Sequence, residues 1–207
     1  MADSTADYAP RSNPFATRFT RPGALVPLDA DGNPLDLDAL LDRLGSLGGS
    51  GSIEGLHGRG KTTTLLALAE RAERRGLAVT VRRVRSVRDL AELWRGLMRM
   101  PTGGTLFIDG WESLGWFPCR LIRLVAVLRA CRLVVTSHGR AGLPVLLSCR
   151  TSPRLLSMIL AQLPTAAPAI EDRDIGEAFL RHGGNLRDAL YDLYDRFESR
   201  TRSREPA

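Results

Sequence analysis

The chain has 207 residues and a formal net charge of +6, and 43% of its residues are hydrophobic. This length is enough for one α/β domain with a small appendage, and the composition is typical of a soluble globular protein. No N-terminal apolar run resembles a signal peptide, and Arg123 and Arg129 interrupt the longest apolar segment, which argues against secretion and against a membrane span. We therefore expect a cytoplasmic protein without membrane contact.

The hydrophobic pattern predicts an α/β fold. Residues 1–16 are polar and predict a flexible arm, and leucines at helical spacing predict a short helix over 35–44. Apolar and β-branched runs predict strands at 52–54, 77–81, 105–108, 133–136 and 145–147. Between them, apolar residues at helical spacing predict helices at 62–75, 87–98 and 118–130. Strands that alternate with helices indicate a mostly parallel central sheet covered on both faces.

The chain after residue 152 lacks strand patterns. We predict three helices there, at 153–163, 172–182 and 185–198. The predicted organisation is therefore a flexible arm, a core that begins with a lead-in segment, a C-terminal helical unit and a disordered tail. Their ranges are 1–16, 17–152 (lead-in 17–50), 153–198 and 199–207.

The positive charge is concentrated in the middle of the chain. Residues 51–164 carry 18 basic and 7 acidic side chains, whereas the segments before and after them are slightly acidic. The densest basic run consists of Arg82, Arg83, Arg85, Arg88, Arg95 and Arg99. A basic middle suits a nucleic acid or another acidic partner, but arginine-rich helices around an anion site would give the same balance. Nucleic-acid binding therefore stays open.

The three cysteines, Cys119, Cys131 and Cys149, are widely spaced and lie in apolar surroundings. They form neither a C-x-x-C pair nor a metal-ligand grouping. We expect buried, reduced thiols.

The most informative motif is the segment GLHGRGKT over residues 55–62, which fits the phosphate-binding pattern G-x-x-x-x-G-K-S/T at every fixed position. Its glycines allow several backbone N–H groups to wrap a polyphosphate, and Lys61 can reach the outer phosphate oxygens. Lys61 is also the only lysine in the chain. The sequence therefore predicts a nucleotide site formed by Gly55, Leu56, His57, Gly58, Arg59, Gly60, Lys61, Thr62 and Thr63.

A Mg²⁺ ion bound with the nucleotide needs oxygen ligands from the protein. The Thr62 hydroxyl is one candidate, and Asp109, which ends the predicted strand at 105–108, fits the Walker B pattern as the other. Many ATPases carry a glutamate directly after this aspartate to position the attacking water, but Gly110 stands there. Glu112 is the nearest substitute, with an exposed loop carboxylate as an equal alternative.

With these motifs the chain resembles a small AAA+-type ATPase, within the P-loop NTPases that insert a strand between the two Walker motifs. The resemblance covers roughly residues 17 to 198, and Arg21-Pro22 is similar to the adenine-side segment of clamp-loader-like members. It implies a three-layer P-loop NTPase fold, bound ATP and Mg²⁺, and a helical lid over 153–198. The strand at 133–136 resembles the one that carries the sensor 1 residue, which implies that role for Thr136 or Ser137.

The segment His182 to Leu190, HGGNLRDAL, is similar to the sensor 2 segment of the AAA+ lid. This match implies that Arg187 reaches back to the nucleotide, and an arginine in an exposed helical turn is the alternative. Family members often act as oligomers in which an arginine enters the neighbouring site. Arg140 or Arg150 could serve, and the sequence does not select between them.

Two functional hypotheses follow, with a third behind them. The first is a Mg²⁺-dependent ATPase that moves its lid or a partner, in which Lys61, Glu112, Thr136 and Arg187 take part in catalysis. The second is a nucleotide-gated binding module with little hydrolysis, which Gly110 favours. A small-molecule kinase also uses a phosphate loop, but the ending similar to sensor 2 argues against it.

Overall fold

Five parallel strands form the central sheet of the protein, which is represented by a computed structural model describing residues 13–163 and 170–202. The strands are β1 (Ser50–Glu54), β2 (Val79–Arg83), β3 (Thr105–Asp109), β4 (Arg132–Ser137) and β5 (Val145–Ser148). Their spatial order is β2-β3-β4-β1-β5, and every neighbouring pair is parallel. The predicted α/β class with a parallel sheet is confirmed.

Helices cover both faces of this sheet. One face carries α2 (Leu37–Ser46) and α3 (Lys61–Arg74), and the other carries α4 (Leu90–Arg99) and α5 (Trp116–Leu128). The fully buried strand β3 shows how one run serves both layers: Phe107 packs toward α3, whereas Leu106 and Ile108 pack toward α4 and α5. Such near-continuous apolar runs are typical of parallel strands buried on both sides.

The C-terminal helices form a third apolar cluster together with the N-terminal segment. This cluster contains α6 (Pro153–Leu160), α7 (Asp172–Arg181) and α8 (Leu186–Arg202). Phe15 is buried in it, with its ring centroid 6.1 Å from that of Phe197, and the Asn13 amide donates to Glu198 at 2.8 Å. We call residues 13–28 and 153–163 with 170–202 the helical unit.

The contacts of the N-terminal segment correct the prediction of a flexible arm over 1–16. Residues 13–16 are anchored because Phe15 gains an apolar site on α8, and the four-residue helix α1 (Thr17–Thr20) follows directly. The first twelve residues of that predicted arm lie outside the described residues. The predicted tail over 199–207 is wrong at its beginning because α8 continues to Arg202, and its last five residues likewise lie outside.

One shift within the core concerns β2, which begins at Val79 rather than at the predicted residue 77. Gly76 ends α3 in a left-handed conformation, and the Leu77 N–H donates to the Ala72 carbonyl at 3.1 Å. This is a Schellman cap, so Leu77 belongs to the end of the helix. The strand consequently extends two residues further, to Arg83.

The helix predicted at 87–98 also differs at its start, because a 3₁₀ turn over Val87–Asp89 precedes α4.

None of the helices within the two described ranges combines the length and apolar character that crossing a bilayer requires.

Candidate functional site

A cavity of about 810 Å³ opens at the carboxyl edge of the sheet. Its walls come from the loop after β1, the ends of β2, β3 and β4, the first turns of α8 and the N-terminal residues 20–25. The carboxyl edge of an open parallel sheet is where α/β proteins bind ligands, and the volume suits a small molecule.

The predicted phosphate loop forms the floor of this cavity. Lys61 is only 7% exposed, and its ammonium donates to the carbonyls of Gly55 and Leu56 at 2.7 and 2.8 Å. Burial lowers the pKa of Lys61, against the opposing effects of Glu112 and Asp109. Helix α3 begins at this lysine, so its first N–H groups lie at the same wall, where an anion is favoured.

Asp109 lies beside the loop, as the sequence predicts. The Thr62 hydroxyl donates to its two carboxylate oxygens at 3.0 and 3.2 Å, and the Thr136 hydroxyl donates to Oδ1 at 2.8 Å. Thr136 also accepts from the Gly110 N–H at 2.9 Å. A hydroxyl paired with a carboxylate at the wall of this cavity is a donor set that suits Mg²⁺, which prefers oxygen ligands.

Sequence reasoning missed one residue of this group, Arg83. Its Nε donates to Asp109 Oδ2 at 3.0 Å because Arg83 lies directly opposite Asp109 in the register between β2 and β3. Arg83 was missed because the predicted strand ended at residue 81, two residues before the end of β2. A strand extended by two residues would have placed this arginine at the cavity.

Gly110 explains the absence of a glutamate directly after Asp109. Its φ is +96°, and a Cβ at this position would lie 2.2 Å from the Val84 carbonyl oxygen. That oxygen belongs to the backbone and cannot move aside like a flexible side chain. Any residue other than glycine would force the end of β3 to change, so this backbone does not accept a glutamate directly after Asp109.

Glu112 lies in the 3₁₀ turn after Gly110 and lines the cavity. Its carboxylate pairs with His138 Nδ1 at the end of β4, and the His138 ring stacks on His57 of the loop with centroids 3.6 Å apart. Burial, followed by the positive charge of Lys61, lowers the pKa of His138. A neutral His138 donating from Nδ1 holds the Glu112 carboxylate at the cavity wall.

Helix α8 reaches the phosphate loop directly. The Leu186 N–H donates to the Gly58 carbonyl at 3.1 Å, and Asn185 caps the helix by accepting from the N–H of Arg187 at 3.1 Å. A Cβ on Gly58, whose φ is +68°, would lie 1.6 Å from Asn185 Oδ1. Arg187 consequently lies at the cavity wall, and its predicted contact with a nucleotide stays a prediction.

The wall of the main cavity carries a net positive charge. Its acidic members are Asp109 and Glu112, against six basic ones: Arg21, Arg59, Lys61, Arg83, Arg85 and Arg187. A concave wall with this imbalance attracts anions and concentrates them at the loop.

A second cavity of about 160 Å³ adjoins the first. The two cavities share part of their lining, including Arg59, Gly60 and Thr63 of the loop. Its remaining wall is mainly apolar and comes from Leu25, Pro27, Leu28, Leu147, Leu155 and Ile159. An apolar recess next to an anion site is suited to the flat, uncharged part of a ligand.

The other predicted residues lie outside the main cavity. Gly55 and Leu56 contribute carbonyls to Lys61 but do not line the wall, and the Ser137 hydroxyl accepts from the Gly139 N–H instead of approaching Asp109. Arg140 and Arg150 are both exposed, and Arg150 borders the second cavity.

The cysteines are all free, as predicted, but Cys131 is fully buried whereas Cys119 and Cys149 are only partly buried. Burial raises the pKa of Cys119 and of Cys149 to about 11, which keeps both thiols protonated near neutral pH. Low-pKa thiolate chemistry is therefore not a property of these two residues.

No protein-family model matches the chain, and a search of curated proteins finds no significant match. Among the described residues, no three His, Cys, Asp or Glu side chains group closely enough to hold a metal by themselves. The geometry of the cavity is therefore what points to a function.

Proposed function

We propose that the chain is a P-loop NTPase of the AAA+-like type that binds ATP with Mg²⁺ and hydrolyses it. The observation that carries this proposal is the group of Lys61, Thr62 and Asp109 at one cavity wall, with Thr62 Oγ1 3.0 Å from Asp109 Oδ1. A glycine-rich loop, a buried lysine and a hydroxyl–carboxylate pair are the parts that phosphoryl-transfer sites use.

The sheet order supports the same class. Strand β4 lies between β1, which precedes the loop, and β3, which ends in Asp109. This is the inserted strand that distinguishes the proposed class of P-loop NTPases. The helical unit supports a lid, because α8 contacts the loop through Gly58 and carries Arg187 to the cavity.

Each residue then has a definite task. The N–H groups at the start of α3 and the Lys61 ammonium would hold the phosphates, and Thr62 and Asp109 would hold Mg²⁺, which supplies charge neutralisation when bound. Glu112, held by His138, would orient the attacking water and accept its proton. The apolar second cavity would take the base.

Phosphate release from Mg²⁺-ATP tests the proposal. We expect Lys61→Ala to lower turnover by about 100-fold or more, because it removes the charge closest to the phosphates. The matched control is Arg74→Ala, which removes an exposed basic residue of the same helix and should leave turnover unchanged. Equal turnover in wild type and Lys61→Ala would contradict the proposal.

The concentration dependence of turnover adds a second readout. A rate per chain that rises with protein concentration would indicate a site completed by a neighbouring copy. Substituting Arg140 or Arg150 by alanine would then identify the contributing arginine, since both are exposed.

A nucleotide-gated module with little hydrolysis is the second candidate. The Gly110 backbone favours it, because a glutamate cannot stand next to Asp109 without displacing the Val84 carbonyl. Tight ATP binding in wild type, weaker binding in Lys61→Ala and no phosphate release in either would select this alternative. Transfer of the labelled phosphate to a metabolite would instead indicate a kinase.

A further inference from the structure

Helix α5 exposes an unusual amount of apolar surface. Only Ile122 and Ala126 of its thirteen residues are buried. Six large apolar side chains are 39–75% exposed: Trp116, Phe117, Leu121, Leu124, Val127 and Leu128. Single exposed apolar residues are common, but a contiguous group of this kind marks an interaction surface.

The spacing of these residues describes the shape of the surface. Phe117, Leu121, Leu124 and Leu128 follow one another at intervals of four, three and four residues. These are the intervals of the a and d positions of a heptad, so the four side chains form one straight seam along the helix. A seam of this width accommodates a second helix packed alongside.

The exposed charges of α5 and of the neighbouring helix are mainly positive. Arg120 and Arg123 are the exposed charged residues of α5. Arg120 borders the seam, with its guanidinium 5.2 Å from the ring centroid of Trp116, whereas Arg123 lies farther round the helix and donates to the Gly142 carbonyl at 2.9 Å. The neighbouring helix α4 adds Arg95 and Arg99, with Glu92 as its exposed acid. The surface therefore combines an apolar seam with a basic border.

We propose that this face of α5 docks an amphipathic helix of a partner protein whose flanks carry carboxylates. Carboxylates at the e and g positions of that helix would pair with the arginines beside the seam, while its leucine-like residues would cover Leu121 and Leu124. A second copy of this chain fits less well, because the same arginines would then border both partners. The proposal is independent of nucleotide binding.

The test uses two labelled synthetic helices of about 18 residues with leucine at a and d. One carries glutamate at e and g, and the other carries lysine there. Fluorescence anisotropy with the full chain should show that the glutamate helix binds roughly tenfold or more tightly than the lysine helix, through the arginine pairs. Arg120→Glu should reduce or reverse this preference.

Leu124→Glu places a carboxylate in the centre of the seam and should abolish binding of the glutamate helix. Leu180→Glu is the matched control, since Leu180 is an exposed leucine on α7 away from the seam. Circular dichroism melting of both variants identifies any loss of folding, and Arg120→Glu gives an independent readout if Leu124→Glu unfolds.

Three outcomes would overturn the proposal. The first is equal binding of the two helices, or binding of neither. The second is self-association in sedimentation velocity that Leu124→Glu abolishes, which would assign the face to a second copy. The third is Leu124-dependent binding to phosphatidylserine vesicles without a preference between the helices, which would assign it to an anionic membrane.

Discussion

The Thr136 hydroxyl accepts a hydrogen bond from Gly110 and donates one to Asp109 while the residue is only 2% exposed. It thereby satisfies a backbone N–H at the end of β3 and fixes the carboxylate that faces Thr62. Thr105, at the other end of β3, is fully buried, and its hydroxyl has no hydrogen-bond partner among the described residues. The two threonines therefore differ in their hydrogen bonding: the Thr136 hydroxyl makes two hydrogen bonds, whereas the Thr105 hydroxyl makes none with the described residues.

Replacing each threonine by valine separates the two cases. We expect Thr136→Val to lower the free energy of unfolding by about 1–2 kcal/mol, because the partly buried Gly110 N–H loses its acceptor. Thr105→Val should be neutral or stabilising, since it removes a buried hydroxyl that makes no bond. Urea denaturation of both variants checks this, and equal losses would show that the hydrogen bonds of Thr136 are not the cause.

At the scale of elements, helices α7 and α8 are joined through one carboxylate. Asp174 is 1% exposed and accepts from Arg196 at 2.9 Å and from Arg200 at 2.8 Å. It also accepts from the Glu171 N–H at 2.9 Å and so caps the start of α7. The hydrogen bonds from Arg200 lower the pKa of Asp174 far below its usual range. The carboxylate therefore stays ionised at the pH values where most proteins are folded.

We expect Asp174→Asn to lower the free energy of unfolding at pH 7 by about 2–3 kcal/mol, because the arginines lose their charged partner. The unfolded chain binds a proton at this carboxyl near pH 4, whereas the folded chain does not. The stabilisation is thus complete above that pH and is lost as the pH falls below it. Denaturation at a series of pH values should show the difference between wild type and variant shrinking in acid.

Asp172→Asn is the control for this experiment. Asp172 is exposed and lies in the same first turn of α7. A comparable loss in both variants would mean that the general preference of a helix start for negative charge is sufficient, and that the pair with Arg196 and Arg200 adds nothing.

Elements were predictable to the extent that their signals are local. The apolar runs of β3 and β4 and the glycine-rich loop are recognisable from the sequence alone. The candidate residues Lys61, Thr62, Asp109 and Thr136 lie within or directly after these segments. The end of β2 depends on the Schellman cap of α3, so the contact between Arg83 and Asp109 was missed.

Contacts between distant segments left still weaker signals in the sequence. The pairing of His138 with Glu112 joins residues that are far apart in the sequence, and so does the packing of Phe15 on α8. Neither pattern can be read from its own neighbourhood, because each partner would be equally suitable on a solvent-exposed loop.

At the scale of the whole molecule, the helical unit and the sheet meet at the phosphate loop. The hydrogen bond from Leu186 to Gly58 and the close approach of Asn185 form this contact. We therefore expect a change in the position of the loop to be transmitted to the first turn of α8. The proposed lid requires this kind of direct connection.

Gly58→Ala tests the connection, because its Cβ would collide with Asn185 Oδ1. We expect amide exchange of residues 186–190 to accelerate by about tenfold or more, while that of β3 stays unchanged. Gly60→Ala is the matched control: Gly60 has a similar φ of +82° in the same loop, but a Cβ there meets no atom within 4 Å. Equal acceleration in both variants would attribute the effect to backbone strain alone.

The burial of Phe15 against Phe197 has a consequence for how the protein is made on the ribosome. The segment from Asn13 to Leu28 is translated early, but the α8 surface that receives it is translated about 170 residues later, at the end of the helical unit. The sheet can pair while the nascent chain is still growing, whereas the helical unit cannot close until α8 has left the exit tunnel. The candidate site is therefore completed only after α8 has emerged, and a truncated product that lacks α8 would leave the glycine-rich loop without the hydrogen bond from Leu186 to Gly58.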